Sequence, residues 1–396
     1  MEQIDLYRNR RVLVLGGEEN PALPILKSLG QKGVHLSVAS HVPYAPGLYS
    51  RYTSTRLRSP DPWENEEAFV TWALDICWKG RYDLVIPLGE MTSLWVARNQ
   101  KEFNKHTHVP FPNLDTYMVG RDKALSMKAA SKLAIPIPET FYPEEESVEA
   151  ISKLVSYPAV VKPRVSYGAR GISYPKNRGE LKACYQRTVE RYGGVIIQEF
   201  IPQTGRQYKV QSIQDLTRKV KTIGIYEKVR YYPPTGGSST LNLTVDRQDI
   251  CEIAQYFVEG IGWYGIGDCD FIEDPRDGII KLIEINPRFT RSIRILVEAG
   301  MDFPALLLRA ALGEELPFSN SYRTGLFMRY LLPDCAWFLR SQDRFKAKPN
   351  FFTFFGKNLI YEMLTLDDIK PGIVYLFSQI GKLMNKKSRS KLLRQG

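Results

Sequence analysis

The chain has 396 residues, 43% of them hydrophobic, and 54 basic side chains against 43 acidic ones leave a net charge of +11. That length suits two or three packed domains, and no run of about eighteen uncharged apolar residues exists to span a bilayer. Five scattered cysteines (Cys77, Cys184, Cys251, Cys269 and Cys335), odd in number and without a C-x-x-C pair, argue against a disulfide framework or zinc site and suit a reducing cytoplasm.

The N-terminus, MEQIDLYRNRR, lacks the apolar core of a secretory signal. The basic excess is uneven: Lys382, Lys386, Lys387, Arg389, Lys391 and Arg394 close the chain with no acidic residue among them. A basic protein suits nucleic acid, an anionic membrane or an acidic substrate. No helix-turn-helix pattern or aromatic ribonucleoprotein motif supports nucleic acid.

Taken in order, residues 11 to 40 read as strand, glycine turn, helix and strand. VLVLGG is an apolar run of parallel-sheet type, PALPILKSLGQKG a short helix ending in glycine, and VHLSVAS a second strand. After a helical stretch at 66–79, YDLVIPLGE (82–90) repeats the strand-then-turn pattern, so a small doubly wound α/β layer is expected. GGEEN lacks the G-x-G-x-x-G spacing and reads as a tight turn rather than a dinucleotide loop.

The stretch 112–142 carries a helix and then a proline-broken extended segment, which marks a boundary. Beyond it the pattern is α+β. Strands are predicted near YPAVVKP, ARGISYP, GGVIIQEFI, VKTIGIYEKV, IGDCDFIED and IIKLIEINP, and helices near 146–155, 179–192, 248–261 and 292–313. Residues beyond 320 turn aromatic and basic and read as a C-terminal extension.

Three segments concentrate the chemistry. In VVKPRVSYGARGIS a strand delivers Lys162 to a small loop running from Ser166 through Gly168 to Gly171. Backbone amides freed by glycine can close over phosphates while the lysine supplies a point charge, although a tight hairpin reads the same way. In IIQEFIP (196–202) an apolar strand ends at Gln198, Glu199, Phe200 and Ile201, an edge backbone suited to reading adenine. In DCDFIEDPRDGIIKLIEINPRF two antiparallel strands flank a turn, with Asp270 on the first and Glu284 and Asn286 two apart on the second. Residues i and i+2 share a strand face. Two carboxylates and an amide there are hard oxygen ligands for magnesium held against phosphates. Arg288, further along that face, suits a phosphoryl oxygen. A solvated strand face is the plainer alternative, but Leu282, Ile283 and Ile285 flank these residues.

The order RDK (121–123), KP with its glycine loop (162–171), QEFI (198–201) and EINPR (284–288) resembles the ATP-grasp superfamily over most of residues 10–315. Within it the chain is most similar to the carboxylate–amine ligases, the branch with D-aspartate ligase and carbamoyl-phosphate-synthase-like proteins. The resemblance implies an ATP-grasp fold of α/β and α+β parts: a Rossmann-like pre-ATP-grasp domain at 1–115, the ATP-grasp domain at 116–320 with a lid near 145–200, and an extension at 321–396. It implies ATP held by Lys123, Lys162, Ser166, Gly168 and Gly171, with Gln198, Glu199, Phe200 and Ile201 bracketing adenine. Gln207 stands where many relatives place an acidic ribose ligand. One or two magnesium ions, or manganese, would sit on Asp270, Glu284 and Asn286, and Arg288 would stabilise an acyl phosphate.

The implied reaction joins a small-molecule carboxylate to an amine. Residues 228–240, KVRYYPPTGGSST, are expected as a basic, glycine-bearing loop on the substrate side. Lys228 joins Arg288 as a catalytic cation, Arg230 meets a substrate carboxylate, and Gly236, Gly237, Ser238 and Ser239 line the reacting centre. Arg291 and Arg294, three apart at a helix start, are added to that set. Two other readings stand beside the ligase: carboxylation of a small molecule with bicarbonate, and a non-catalytic nucleotide-binding protein. All four histidines precede residue 109 and read as structural or surface residues.

From Ile373 the apolar residues Ile373, Leu376, Phe377, Ile380, Leu383 and Met384 follow helical spacing and form one stripe. With the basic end, that stripe reads either as a helix on an anionic membrane surface or as a helix packed on the domain with a solvated tail. Substrate identity and oligomeric state are not legible.

Overall fold

The computed structural model describes residues 6–166, 170–234 and 237–384. The N-terminal layer consists of β1 (Arg11–Leu15), α1 (Ala22–Gln31), β2 (His35–Ser40), β3 (Thr55–Arg58), α2 (Glu66–Gly80), β4 (Leu84–Pro87), α3 (Glu90–Arg98) and the short α4 (Gln100–Phe103). Its strands run parallel in the order β3-β2-β1-β4. The continuous apolar run of β1 is buried because helices cover a parallel sheet on both faces. GGEEN is the tight turn expected: Gly16 adopts φ +109°, and the Gly16 and Gly17 amides both donate to Ala39. A Cβ on Gly17 would come within 2.7 Å of Val38.

The single helix expected after residue 112 is two, α5 (Leu114–Arg121) and α6 (Lys123–Lys132). Asp122 breaks them: its backbone is extended, and its carboxylate caps α6 by accepting from the Ala124 and Leu125 amides. A small lobe follows, with β5 (Thr140–Phe141), α7 (Val148–Leu154), β6 (Ala159–Pro163), α8 (Arg178–Tyr192) and β7 (Val195–Glu199). Its antiparallel sheet β5-β7-β6 has its own core of Ile151, Val161, Leu181 and Ile197. Among the described residues of ARGISYP, Ser173 bridges to Val161 and the Pro175 carbonyl accepts from the Ala159 amide.

The remaining elements are β8 (Gln207–Gln214), β9 (Val220–Tyr232), β10 (Ser238–Thr244), α9 (Gln248–Gly260), β11 (Gly265–Glu273), β12 (Ile280–Asn286), α10 (Ile293–Glu298), α11 (Phe303–Ala311), β13 (Phe327–Arg329), α12 (Leu331–Arg340), β14 (Leu359–Tyr361) and α13 (Ile369–Met384). They build a seven-stranded sheet in the order β12-β11-β8-β9-β10-β13-β14. The loop expected at 228–240 is instead the β9–β10 hairpin, which shrinks the connection to residues 233–237. The helix expected over 292–313 is α10 and α11, parted at Gly300 with φ +109°.

Residues beyond 320 add β13 and β14 to the same sheet. One apolar core joins the N-terminal layer to this sheet and its helices, bringing Val12, Ile25, Leu29 and Ile86 against Phe289, Ile293, Leu296 and Met328. At roughly 1.5–3 kcal/mol per buried side chain, this contact fixes the layer as one wall of the cleft between it, the small lobe and the large sheet.

Candidate functional site

That cleft encloses about 450 Å3. Lys123 and Lys162 meet in it because α6 is locked to the end of β6. The Arg164 guanidinium donates to both Asp122 oxygens at 2.6–3.0 Å, and the Lys123 amide donates to the Arg164 carbonyl at 2.9 Å. Lys123 Nζ then lies 3.2 Å from the Ser166 carbonyl and 3.6 Å from Glu284. Lys162 is 6% exposed. Burial, reinforced by the nearby Lys123 charge and opposed by Glu284, pushes its ammonium down to about 8.

Of the glycines expected over phosphate, Gly168 falls outside the described residues, and Gly171 does not line the cleft. Gly171 adopts φ +78°, and a Cβ there would come within 2.7 Å of both Pro163 and Tyr192, so packing already demands glycine.

Beyond the lysines, Val160, Tyr174, Phe200, Ile201, Ile272 and Ile283 make an apolar slot beside the backbone of Gln198 and Glu199. Both of those side chains are engaged elsewhere. Gln198 donates to Thr140 at 2.7 Å, and the Glu199 carboxylate takes Arg276 at 2.6 Å and Lys281 at 2.9 Å. Burial pushes the Glu199 carboxyl up, but the two cations outweigh it and hold it low. Glu199 therefore braces the small lobe against the β11–β12 turn.

The acidic centre depends on a β-bulge. Asp270 pairs with Glu284 but the next residue, Phe271, pairs with Leu282, so Ile283 is the extra residue. The bulge lets Leu282 enter the core while Glu284 and Asn286 both face the cleft. Asp270 lies 3.1 Å from Lys209 and 3.2 Å from Lys228, and Asn286 donates to it at 3.1 Å. Burial raises the Asp270 carboxyl, yet the two ammoniums hold it below the ordinary value.

Lys228 sits off hydrogen-bond geometry, so Asp270 Oδ1 is a buried oxygen without a hydrogen bond. The Glu284 side chain is 33% exposed and opens to the cleft. No group of three or more His, Cys, Asp or Glu converges among the described residues. Two carboxylates and an amide nonetheless fit a magnesium ion whose remaining ligands are phosphate oxygens and water, the usual way this ion is held.

The cations divide. Arg288 reaches the cleft and is held by Glu90 of α3 at 3.4 Å, which also takes Arg121 at 3.2 Å. Arg291 lines the cleft with its guanidinium bonded twice to Glu362, at 2.8 and 2.6 Å, and stacked over Tyr330. Lys228 and Gln207 meet at 3.3 Å on the cleft wall, where Gly237, Ser238 and Ser239 also lie; Gly236 is outside the described residues.

Arg230 and Arg294 do not reach the cleft. Between Lys228 and Arg230 the register with β10 slips by one residue, which turns Arg230 to the opposite face. There it shares the buried Asp334 carboxylate with Arg329, at 2.9 and 2.7 Å, and lies over Trp337. Arg294 is buried in donating to the Glu362 and Leu364 carbonyls.

Several residues that line the cleft or support it from beneath escaped the sequence reading. Lys209 comes from β8, whose alternation QYKVQSIQ was hidden by polar residues on both faces. Asp268 is wholly buried and accepts from Lys209 at 2.6 Å and from Gln211 and Thr290 at 2.7 Å each. Its signal was visible: it stands two residues before Asp270 on the same strand. Glu19 and Asn20, on the turn after β1, form the opposite wall. None of the four histidines lines the cleft.

Residues 120–292 match the model of the ATP-grasp domain family. Among characterised proteins, the chain is 26% identical over 207 residues to the C-terminal section of the carbamoyl phosphate synthase large chain of Methanopyrus kandleri, covering 50% of this chain and 38% of that one. The chain spans 30–38% of the length of the curated relatives it matches first. A solved structure of biotin carboxylase from Campylobacter jejuni superposes with a TM-score of 0.68 at 16% identity, over 82% of this chain and 75% of that one. L-amino acid ligase from Bacillus licheniformis superposes with a TM-score of 0.63 at 19% identity, over 81% and 79%. The fold is therefore the ATP-grasp fold with its N-terminal α/β layer.

Proposed function

We propose that this protein is an ATP-dependent carboxylate–amine ligase that forms an amide through an acyl phosphate and releases ADP and phosphate. The observation that carries the reading is one cleft holding Lys123 and Lys162, the Asp270–Glu284–Asn286 oxygen set and Arg288, with an apolar slot at Phe200, Ile201 and Ile272. The ATP-grasp domain match and the likeness to an amino acid ligase support it.

In this mechanism a substrate carboxylate oxygen attacks the γ-phosphorus and ADP departs. Lys123 and Lys162 neutralise the phosphates, and the apolar slot takes the adenine. Asp270, Glu284 and Asn286 would hold magnesium, which would add further charge neutralisation. The amine then attacks the acyl carbon, the carbon–oxygen bond to phosphate breaks, and the amine's proton is lost to phosphate or solvent. Arg288, aimed by Glu90, holds the developing oxyanion, and Lys228 lies across the cleft as a second cation. Positioning and charge carry the rate, because phosphate replaces oxide as the leaving group.

The test is ADP release across a panel of acid and amine pairs, with mass spectrometry of the product. The reading expects ADP only when both are present and a product mass equal to acid plus amine less water. ADP formation driven by bicarbonate would make it a carboxylase. Bound nucleotide without ADP from any pair would make it a nucleotide-binding protein without turnover.

A further inference from the structure

Helix α13 is amphipathic with its apolar face outward. Ile369, Ile373, Leu376, Phe377 and Ile380 fall within about 100° of one another around the helix axis, given about 100° per residue. They are 54%, 48%, 46%, 68% and 42% exposed. The face turned toward the protein carries instead Pro371 and Gly372, both buried, with half-buried Tyr375, Ser378 and Gln379.

Contacts at its start anchor this orientation. Asp368 accepts from Ser50 at 2.5 Å and from the Arg51 amide at 3.1 Å, and Tyr52 donates to Asp367 at 3.0 Å. A Cβ on Gly372 would lie 3.0 Å from Leu364 and from the Met363 carbonyl, so the glycine face is pressed inward. Rotating the helix to bury its apolar stripe would press a larger side chain against Leu364 and the Met363 carbonyl. Leu366, 96% exposed, extends the stripe into the preceding segment.

We propose that α13 is a peripheral docking surface for an anionic lipid membrane. From Ile369 to Gly396 the chain carries no aspartate or glutamate, while Lys370, Lys382, Lys386, Lys387, Arg389, Lys391 and Arg394 are all basic. An exposed apolar stripe joined to one sign of charge suits a surface that is apolar below and anionic above. A second copy of this chain would bring two such cationic segments together, and their repulsion opposes that pairing. No helix among the described residues is long and apolar enough to cross a membrane, so the contact lies in the interface. The proposal is independent of the ligase reading, since vesicle binding needs no nucleotide.

The experiment is flotation of the full chain with vesicles of phosphatidylcholine alone or mixed with phosphatidylglycerol, at low and high salt, together with its mass in solution. The expected result is partition onto the anionic vesicles only, falling at high salt by about fivefold for each basic residue that touches the surface. Ile373→Asp with Phe377→Asp should lower partition at least about tenfold, since it removes two apolar contacts from exposed positions. An unchanged unfolding midpoint would show that the fold survives the double change. Equal partition onto both vesicle types, none onto either, or a dimer that the same double substitution dissolves would overturn the proposal.

Discussion

Lys162 offers a quantitative check on the phosphate site. Its ammonium is buried with another cation nearby, and its affinity for a proton drops from the usual lysine value of 10.5 to about 8. That gap is worth roughly 3 kcal/mol of folding free energy. Below about pH 8 both folded and unfolded chains carry the proton, so the full cost of the buried charge is present. Between about 8 and 10.5 the unfolded chain binds more protons, so stability rises with pH across that window. In the proposed reading, nucleotide phosphate would supply the missing counter-charge and restore the ammonium. Binding at about pH 9 should therefore take up close to one proton, against about a tenth of one near pH 7, and affinity should weaken about tenfold between them. Calorimetry in two buffers of different ionisation enthalpy reads the proton directly. Lys162→Met should abolish the proton uptake, weaken ATP binding near neutral pH, and raise the stability of the free protein there by up to about 3 kcal/mol. Proton uptake that persists in the variant, or a flat affinity profile in the wild type, would show that Lys162 does not meet the phosphates.

Glu284→Ala should stop ADP release with an unfolding midpoint near wild type, because this carboxylate faces the cleft. Asn286→Ala should stop it too but lose about 1–3 kcal/mol, since two buried carboxylates lose a donor. Normal turnover by either at ordinary magnesium removes the metal assignment. Arg230→Met should cost roughly 3 kcal/mol in denaturant unfolding and leave nucleotide affinity alone, because Asp334 loses one of its two cations. A shift in substrate KM without loss of stability would return Arg230 to the site. Gly171→Val should destabilise the small lobe by about 1–3 kcal/mol through its positive φ, visible as faster amide exchange in β6 and α8; wild-type exchange there would contradict the packing described.

Local patterns carry a long way in this chain. The apolar runs VLVL and LVIP mark parallel strands without further information, because a strand covered on both faces has nothing polar to show. The order RDK, KP, QEFI and EINPR names the ATP-grasp resemblance, and the N-terminal layer, the small lobe and β12 then place Lys123, Lys162, Glu284, Asn286 and Arg288 on one cleft. Other features depend on relations between distant segments. Strand β8 reads as polar because its lysine and glutamines serve a buried network, and only the pairing of Lys209 with Asp270 across β11 shows why. Arg230 shares a strand with Lys228, so alternation alone assigns both to one face; a one-residue slip against β10 separates them, and no local signal fixes such a slip. Glu90 reaches Arg288 across 198 residues. The apolar stripe of α13 is legible as a stripe, but whether it faces the core or the solvent is set by where Gly372 and Asp368 lodge against the N-terminal layer and the preceding segment. Periodicity says that a helix has an apolar side; only the packing of its other side decides what that side meets.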